Sequence, residues 1–230
     1  RVASPQISAF FAELHQSHDV GLQIGANCRK ILQKGGAFTG VQLDDGREIA
    51  AELLLVGIGV LPDLDLAASA GIEAGNGILV DAMMQSSVQD ISAMGDVARV
   101  DGAASRGESV DDAQMTAARA AAAICGLAQP SMAAPWFWSE QFDVRLQSAG
   151  IVPLASPDLH HQLRPGKREG GFSVWSYGDK GKLAAVEAVR DPAGYMLGKK
   201  CLDLGLSPDP DDIGNSDFDL KEFVAAGNKK

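Results

Sequence analysis

Three stretches decide how this chain is read: Ile78-Leu79-Val80-Asp81, then Ile91-Ser92-Ala93-Met94-Gly95-Asp96, then the alanine-rich run from Ala113 to Cys125. The first reads as a short apolar strand, the second as a strand that stops at Gly95-Asp96, and the third as a long helix. A strand ending in Gly-Asp places a carboxylate at the carboxyl edge of a sheet, where open α/β folds receive their ligands. Gly95 has no Cβ, so the backbone can come close to a bound group. The helix that follows adds unpaired N–H groups and the positive end of its dipole, both fixed stabilisers for an anion. Together they predict half of a cofactor site. Glu108, Ser109, Asp111 and Asp112 crowd the start of that helix, where carboxylates suit the dipole, although simple capping accounts for the same acids.

Upstream, Ser4-Pro5 predicts a helix start, with Ser as N-cap and Pro in the first turn. Ile7, Phe10, Phe11 and Leu14 follow at helical spacing as one buried stripe. Val20, Leu22 and Ile24 alternate as a strand, and residues 38–43 and 47–50 flank the hairpin signal Asp44-Asp45-Gly46. Glu52-Leu53-Leu54-Leu55-Val56 has no alternation, the pattern of a strand buried on both faces. It runs into Gly57-Ile58-Gly59, where two glycines leave the backbone open to a flat ligand or form a plain turn. No complete GxGxxG occurs anywhere, so no dinucleotide phosphate loop is written here. Residues 64–77 read as a short helix and a glycine-bearing turn.

Downstream, composition shifts between Gln129-Pro130 and Pro135. Trp136-Phe137-Trp138-Ser139 then gathers two of the three tryptophans. Strands are expected through Val144, Leu146 and Ser148, through Phe172, Val174 and Trp175, and from Leu183 to Val189, the last two joined by a hairpin at Gly178-Asp179-Lys180-Gly181. Helices are expected at 193–204 and 219–226, separated by an Asp/Pro-rich loop at 207–216. Strands followed by helices make an α+β domain with an antiparallel sheet. His15 with His18, and His160 with His161, are better read as a helix end and a strand surface than as metal ligands.

At 230 residues, 46% hydrophobic and 22% charged, the chain can bury ample core in one large domain or two modest ones. No apolar run is long enough to cross a bilayer and no signal peptide is visible. Cys28, Cys125 and Cys201 form no CxxC pair, which excludes a redox dithiol or zinc ribbon of that spacing and suits a reducing cytoplasm. The net charge of −10 is uneven: residues 1–135 carry 8 basic and 16 acidic groups, residues 136–200 carry 9 and 7. Nucleic acid is a poor partner for such a chain. A small acidic protein could be steered to the mildly basic middle.

With these residues in place, the chain resembles the FAD-dependent ferredoxin reductases, the group of the putidaredoxin and rubredoxin reductases. The matching blocks are SPQISAFFAELHQSHDVGLQI (4–24), GIGVLPDLDLAASAGI (57–72), NGILVDAMMQSSVQDISAMGDVA (76–98), RGESV (106–110) and APWFWSEQFDVRLQSAG (134–150), in family order. The resemblance implies an α/β chain with parts of FAD- and NAD-binding Rossmann-like domains, then an α+β C-terminal domain. Residues 1–60 would close the NAD-binding domain, 61–134 would close the FAD-binding domain, and 135–230 would be the C-terminal domain. Both glycine loops of the family lie outside this sequence, and a chain opening on Arg1 is expected to be part of a longer polypeptide.

The resemblance further implies electron transfer from NADH through FAD to a [2Fe-2S] ferredoxin or similar carrier of an oxygenase or P450 system. Asp96, beside Gly95, resembles the acid that bonds the ribityl chain. Glu108, Ser109 and Val110 resemble the segment whose backbone meets the pyrimidine edge, and Trp138 the aromatic beside the flavin. Gly57, Ile58 and Gly59 resemble the strand end that the nicotinamide approaches. Asp112 and Thr116 depart from the family's usual Asn and Gln. Neither membrane nor nucleic acid is an expected partner, and a homodimer is admitted. The competing reading is a cofactor-free docking or dimerisation module. A disulfide reductase is disfavoured, because Cys28 and Cys201 have no neighbour that would lower a thiol pKa.

Overall fold

Helix α1 (Pro5–Ser17) starts at Ser4-Pro5, with Ile7 and Phe11 buried, as the spacing predicts. Its cap differs from the expectation. The computed structural model describes residues 3–103, 106–131, 133–152, 156 and 158–228, and among them Ser4 Oγ has no hydrogen-bond partner. The Ser4 N–H instead donates to both carboxylate oxygens of the fully buried Glu187, at 3.2 and 3.0 Å. The buried carboxylate thus serves the N-cap residue's own amide, the role that a Glu or Gln three residues on plays in a capping box.

The chain divides into two units, Ala9–Leu61 and Arg1–Ser8 with Pro62–Lys230. In the first, β1 (Cys28–Lys34), β2 (Ala37–Leu43) and β3 (Glu48–Ala50) form an antiparallel meander. The Asp44-Asp45-Gly46 turn joins β2 to β3, with Gly46 at φ 87°. Gly35 and Gly36, both at positive φ, join β1 to β2. β1 has no signal in the sequence, because Arg29, Lys30, Gln33 and Lys34 leave it without apolar alternation. The strands expected at 20–24 and 52–56 are absent. A strand exists through a neighbour's hydrogen bonds, and no described segment pairs with either stretch. Leu53 and Leu55, expected to be buried, are 74% and 86% exposed.

The second unit continues with α2 (Asp65–Ser69), β4 (Ala74–Gly75), β5 (Gly77–Val80), β6 (Ala98–Val100) and α3 (Val110–Ile124). β4 pairs antiparallel to β5, and β5 pairs parallel to β6. The strand expected at 91–94 is another correction. Met94 has extended backbone (φ −149°, ψ 165°), yet the stretch makes only an isolated bridge from Ser92 to Gln85. Gly95–Val97 is then a 3-10 turn, so Gly95-Asp96 precedes β6 instead of ending a paired strand. Val80, Met84, Ala93, Ala98 and Ala120 form the local core, which small alanines on α3 allow to be thin.

Five antiparallel strands follow: β7 (Trp136–Gln141), β8 (Val144–Gly150), β9 (His160–Pro165), β10 (Phe172–Tyr177) and β11 (Leu183–Val189), in the order β7-β8-β11-β10-β9. The helices α4 (Pro192–Asp203), α5 (Pro210–Gly214) and α6 (Leu220–Gly227) come last. α5 lies inside the stretch expected as loop, capped by Asp209 accepting from Asp211 N–H. Trp175, Tyr177, Val186, Cys201, Ile213 and Val224 are the centre of this core. Gly198 lets α4 sit against β11, since a Cβ there would lie 2.6 Å from Val186 Cγ1. Each such fully buried apolar side chain contributes about 1.5–3 kcal/mol.

Candidate functional site

α3 begins where Ser109 Oγ accepts from Asp112 N–H at 3.1 Å, a side-chain N-cap that leaves the amides of Val110 and Asp111 as orphan donors of the first turn. Thr116, one turn further on, donates to the Asp112 carbonyl at 2.7 Å and accepts from Gly95 N–H at 2.9 Å. This second bond fastens the Gly95–Val97 turn to the helix. Gly95 sits at φ 69°, in the left-handed region that favours glycine. Asp96 is thereby held exposed beside the helix start, and its carboxylate has no hydrogen-bonding or cationic partner among the described residues.

Carboxylates gather here. Burial first, then the charges of Asp111 and Asp96, hold the Asp112 carboxyl above the usual carboxylate range. Its side chain folds back over Gly107, where a Cβ would lie 2.1 Å from Asp112 Cγ. Asp111 Oδ2 accepts from Trp136 N–H at 3.3 Å, tying the helix start to the first residue of β7. Trp136 and Trp138, two apart and so on one face of the strand, stack with ring centroids 5.5 Å apart and 27° between planes. The Arg145 guanidinium lies 6.0 Å from the Trp138 ring centroid. Glu108 is paired by Arg106, which also donates to Asn76 Oδ1 at 2.5 Å.

Ionised carboxylates only accept, so Asp96 is suited to a group rich in hydroxyl donors. The acids would repel a phosphate at this spot. The two orphan amides and the helix dipole favour a delocalised negative edge, and the tryptophan face supplies a flat apolar wall. These are the requirements of a ring system carrying a polyhydroxyl chain, and the residues present fit a flavin.

Of the residues named from sequence, Gly95, Asp96, Glu108, Ser109 and Val110 lie around the α3 N-terminus, with Trp138 tied to them through Asp111 and Trp136. Gly57, Ile58 and Gly59 lie in the other unit, in an exposed irregular segment with Gly59 at φ 95°. Four contributors went unassigned. Asp111 carries no signal in the sequence beyond the dipole and capping it shares with its neighbours, Trp136 has none beyond its place in the WFWS block, and Arg106 and Gly107 none beyond theirs in RGESV. His161 bonds to Ser176 Oγ at 2.9 Å, and burial together with His160 lowers its pKa. Cys201 is buried, which pushes its thiol up to about 11. No helix among the described residues is long and apolar enough to cross a membrane.

Comparison with known proteins places the chain in a family. Residues 1–122 match the family described as pyridine nucleotide-disulphide oxidoreductase, and residues 136–224 match the reductase C-terminal domain. Rhodocoxin reductase of Rhodococcus erythropolis is 34% identical over 229 residues, covering 98% of this chain and 53% of that protein. The chain thus spans about half the length of the curated relatives it matches. Among solved structures, the ferredoxin reductase for the CYP199A2 system of Rhodopseudomonas palustris superposes with a TM-score of 0.89 at 35% identity, over 97% of this chain and 55% of that one. The reductase of the covalent putidaredoxin reductase–putidaredoxin complex gives 0.89 at 31% identity, over 100% and 56%. The fold is therefore the Rossmann-like one of these oxidoreductases followed by an antiparallel-sheet domain, and the proteins of this family use FAD with NAD(P)H. With one family match over residues 1–122 and its C-terminal domain over most of the remainder, the chain belongs to the pyridine nucleotide-disulphide oxidoreductase family.

Proposed function

We propose that this chain is the C-terminal portion of an NAD(P)H-dependent ferredoxin reductase that serves an oxygenase or P450 system through a [2Fe-2S] ferredoxin or similar carrier. In this reading residues 1–60 close an NAD-binding domain, 61–134 close an FAD-binding domain and 135–230 form the C-terminal domain. The observation that carries it is the convergence of an unpartnered Asp96, the open first turn of α3 and the stacked Trp136–Trp138 pair. FAD, when bound, supplies the exchange between a two-electron nicotinamide donor and a one-electron carrier. Asp96 would hold hydroxyls of its ribityl chain. The amides of Val110 and Asp111, with Glu108 and Ser109 setting their approach, would stabilise negative charge at the ring edge, as preorganised donors do. Trp138 would cover the ring and shield it from water near where the carrier docks. Gly57, Ile58 and Gly59 are assigned to the nicotinamide side. The solved putidaredoxin reductase–putidaredoxin complex supports a carrier of ferredoxin type.

The test is cofactor content. The complete polypeptide should purify yellow with one FAD per chain and reduce a [2Fe-2S] ferredoxin with NADH, whereas this 230-residue piece alone should be colourless. Asp96→Ala in the complete polypeptide should raise the FAD dissociation constant by about tenfold, the loss of one charge-assisted hydrogen bond. Unchanged flavin retention in that variant would remove Asp96 from the site. A colourless complete polypeptide would favour the docking module instead.

A further inference from the structure

We infer that Arg106 is a positioning residue for the flavin site proposed above, and that it acts by neutralising Glu108 and locking the entry to α3. The side chain of Arg106 is only 5% exposed, unusual for an arginine, and is threaded between two elements. One Nη donates to Asn76 Oδ1 at 2.5 Å in the β4–β5 turn, and the other pairs with Glu108. The stem passes directly over Gly77, which has φ 111° and where a Cβ would lie 2.6 Å from Arg106 Cδ. Gly77 is thus empty space reserved for this arginine. The two contacts fix Glu108 relative to β5, and with it the segment Gly107-Glu108-Ser109 that leads into the cap.

The electrostatic argument is independent of the packing. Asp111 and Asp112 lie in the first turn of α3, Glu108 stands just before its Ser109 cap and Asp96 faces them, with Asp112 already disfavoured as an anion by burial and then by the charges of Asp111 and Asp96. A helix N-terminus carries only about half a positive charge. Four carboxylates beside it would cancel its preference for a negative ring edge. Pairing Glu108 with a buried guanidinium removes one of them and restores part of that preference. The flat fork of Arg106 also reaches two acceptors at once, which a lysine ammonium at the end of a flexible stem does not reproduce.

The inference rests on the flavin reading, and its test separates the two. Arg106→Gln, Arg106→Lys and Arg106→Gln/Glu108→Gln are made in the complete polypeptide, and FAD dissociation constant, flavin midpoint potential and thermal midpoint are measured. Arg106→Gln should weaken FAD binding about tenfold and disfavour the reduced, more negative flavin about tenfold further, a shift of about 30 mV to lower potential for a two-electron couple. Adding Glu108→Gln should return the potential to the wild-type value while binding stays weak. Arg106→Lys should keep the wild-type potential with weakened binding, and it supplies the test should the glutamine variant fail to fold. A merely structural arginine predicts a lowered thermal midpoint with potential and FAD affinity unmoved in the lysine variant, and that result overturns the assignment. So does a potential that stays displaced in the double variant. A wild-type polypeptide that binds no FAD overturns the flavin reading and this inference with it.

Discussion

Two apolar stretches of this chain have opposite fates. In β10 and β11, Val174, Trp175, Val186 and Val189 are wholly buried, each strand is paired on both sides, and helices cover the face that carries Trp175 and Val186. Between Leu53 and Leu61, Leu55, Ile58 and Leu61 are among the most exposed side chains of the molecule. Composition does not separate the two. What separates them is supply: the C-terminal sheet finds every neighbour strand and helix within the sequence itself, and residues 53–61 find none among the described residues. An apolar run states a need for burial, and the fold meets it only where the same chain provides the other surface.

The largest test of that contrast is Trp175→Ala. Trp175 lies at the centre of the C-terminal core, with its Nε1–H donating to Ser173 Oγ at 3.2 Å. Truncation should lower stability by about 3–5 kcal/mol, measured by urea unfolding followed by far-UV circular dichroism. A loss under 1 kcal/mol would mean that this core can collapse around the gap and is not the close-packed region described.

Glu187 sharpens the comparison, because it is a carboxyl group buried on the sheet face opposite that core. β8 and β10 flank it through Ser148 and Val174, and Ser4 N–H is its donor. Glu187→Ala leaves that amide without an acceptor and should cost about 1–3 kcal/mol. Burial raises the Glu187 pKa above its ordinary 4.5, outweighing the bonds from Ser4 that lower it. The folded state then holds the proton more firmly than the unfolded state. Its stabilising contribution is complete below pH 4.5 and is lost as the pH climbs through the raised native value. Glu187→Gln should therefore gain on the wild type as pH rises across that window. A constant difference between the two from pH 4 to 8 would show that Glu187 does not titrate there.

The same distinction explains what could be read from the residues. The C-terminal hairpin at Gly178–Gly181, the helix in Ala113–Cys125 and the turn at Asp44-Asp45-Gly46 were legible because their determinants are local. The strands expected at 20–24, 52–56 and 91–94 were not realised, since pairing is a property of two segments and sequence pattern reports only one. The site divides likewise. Gly95, Asp96 and Ser109 carry their chemistry in short motifs, but Asp111 became a tie to Trp136 only when β7 arrived beside α3. Arg106 could not be given a role from spacing, because its partner Asn76 is 30 residues away and its path is fixed by Gly77.

The smallest effect belongs to the exposed stretch. Leu55→Ala removes a side chain that is already 86% in water, so the transfer term that makes core truncations costly is almost absent. The expected change in unfolding free energy is within about 0.5 kcal/mol, the range for surface substitutions. Leu55→Glu should be equally neutral for stability, and should lower any self-association at high concentration, because it puts a charge among the exposed apolar side chains of 53–61. Sedimentation velocity and urea unfolding on the same samples separate the two effects. A destabilisation above 1 kcal/mol in Leu55→Ala would mean that residues 53–61 are buried in solution, and the contrast with β10 and β11 would be lost.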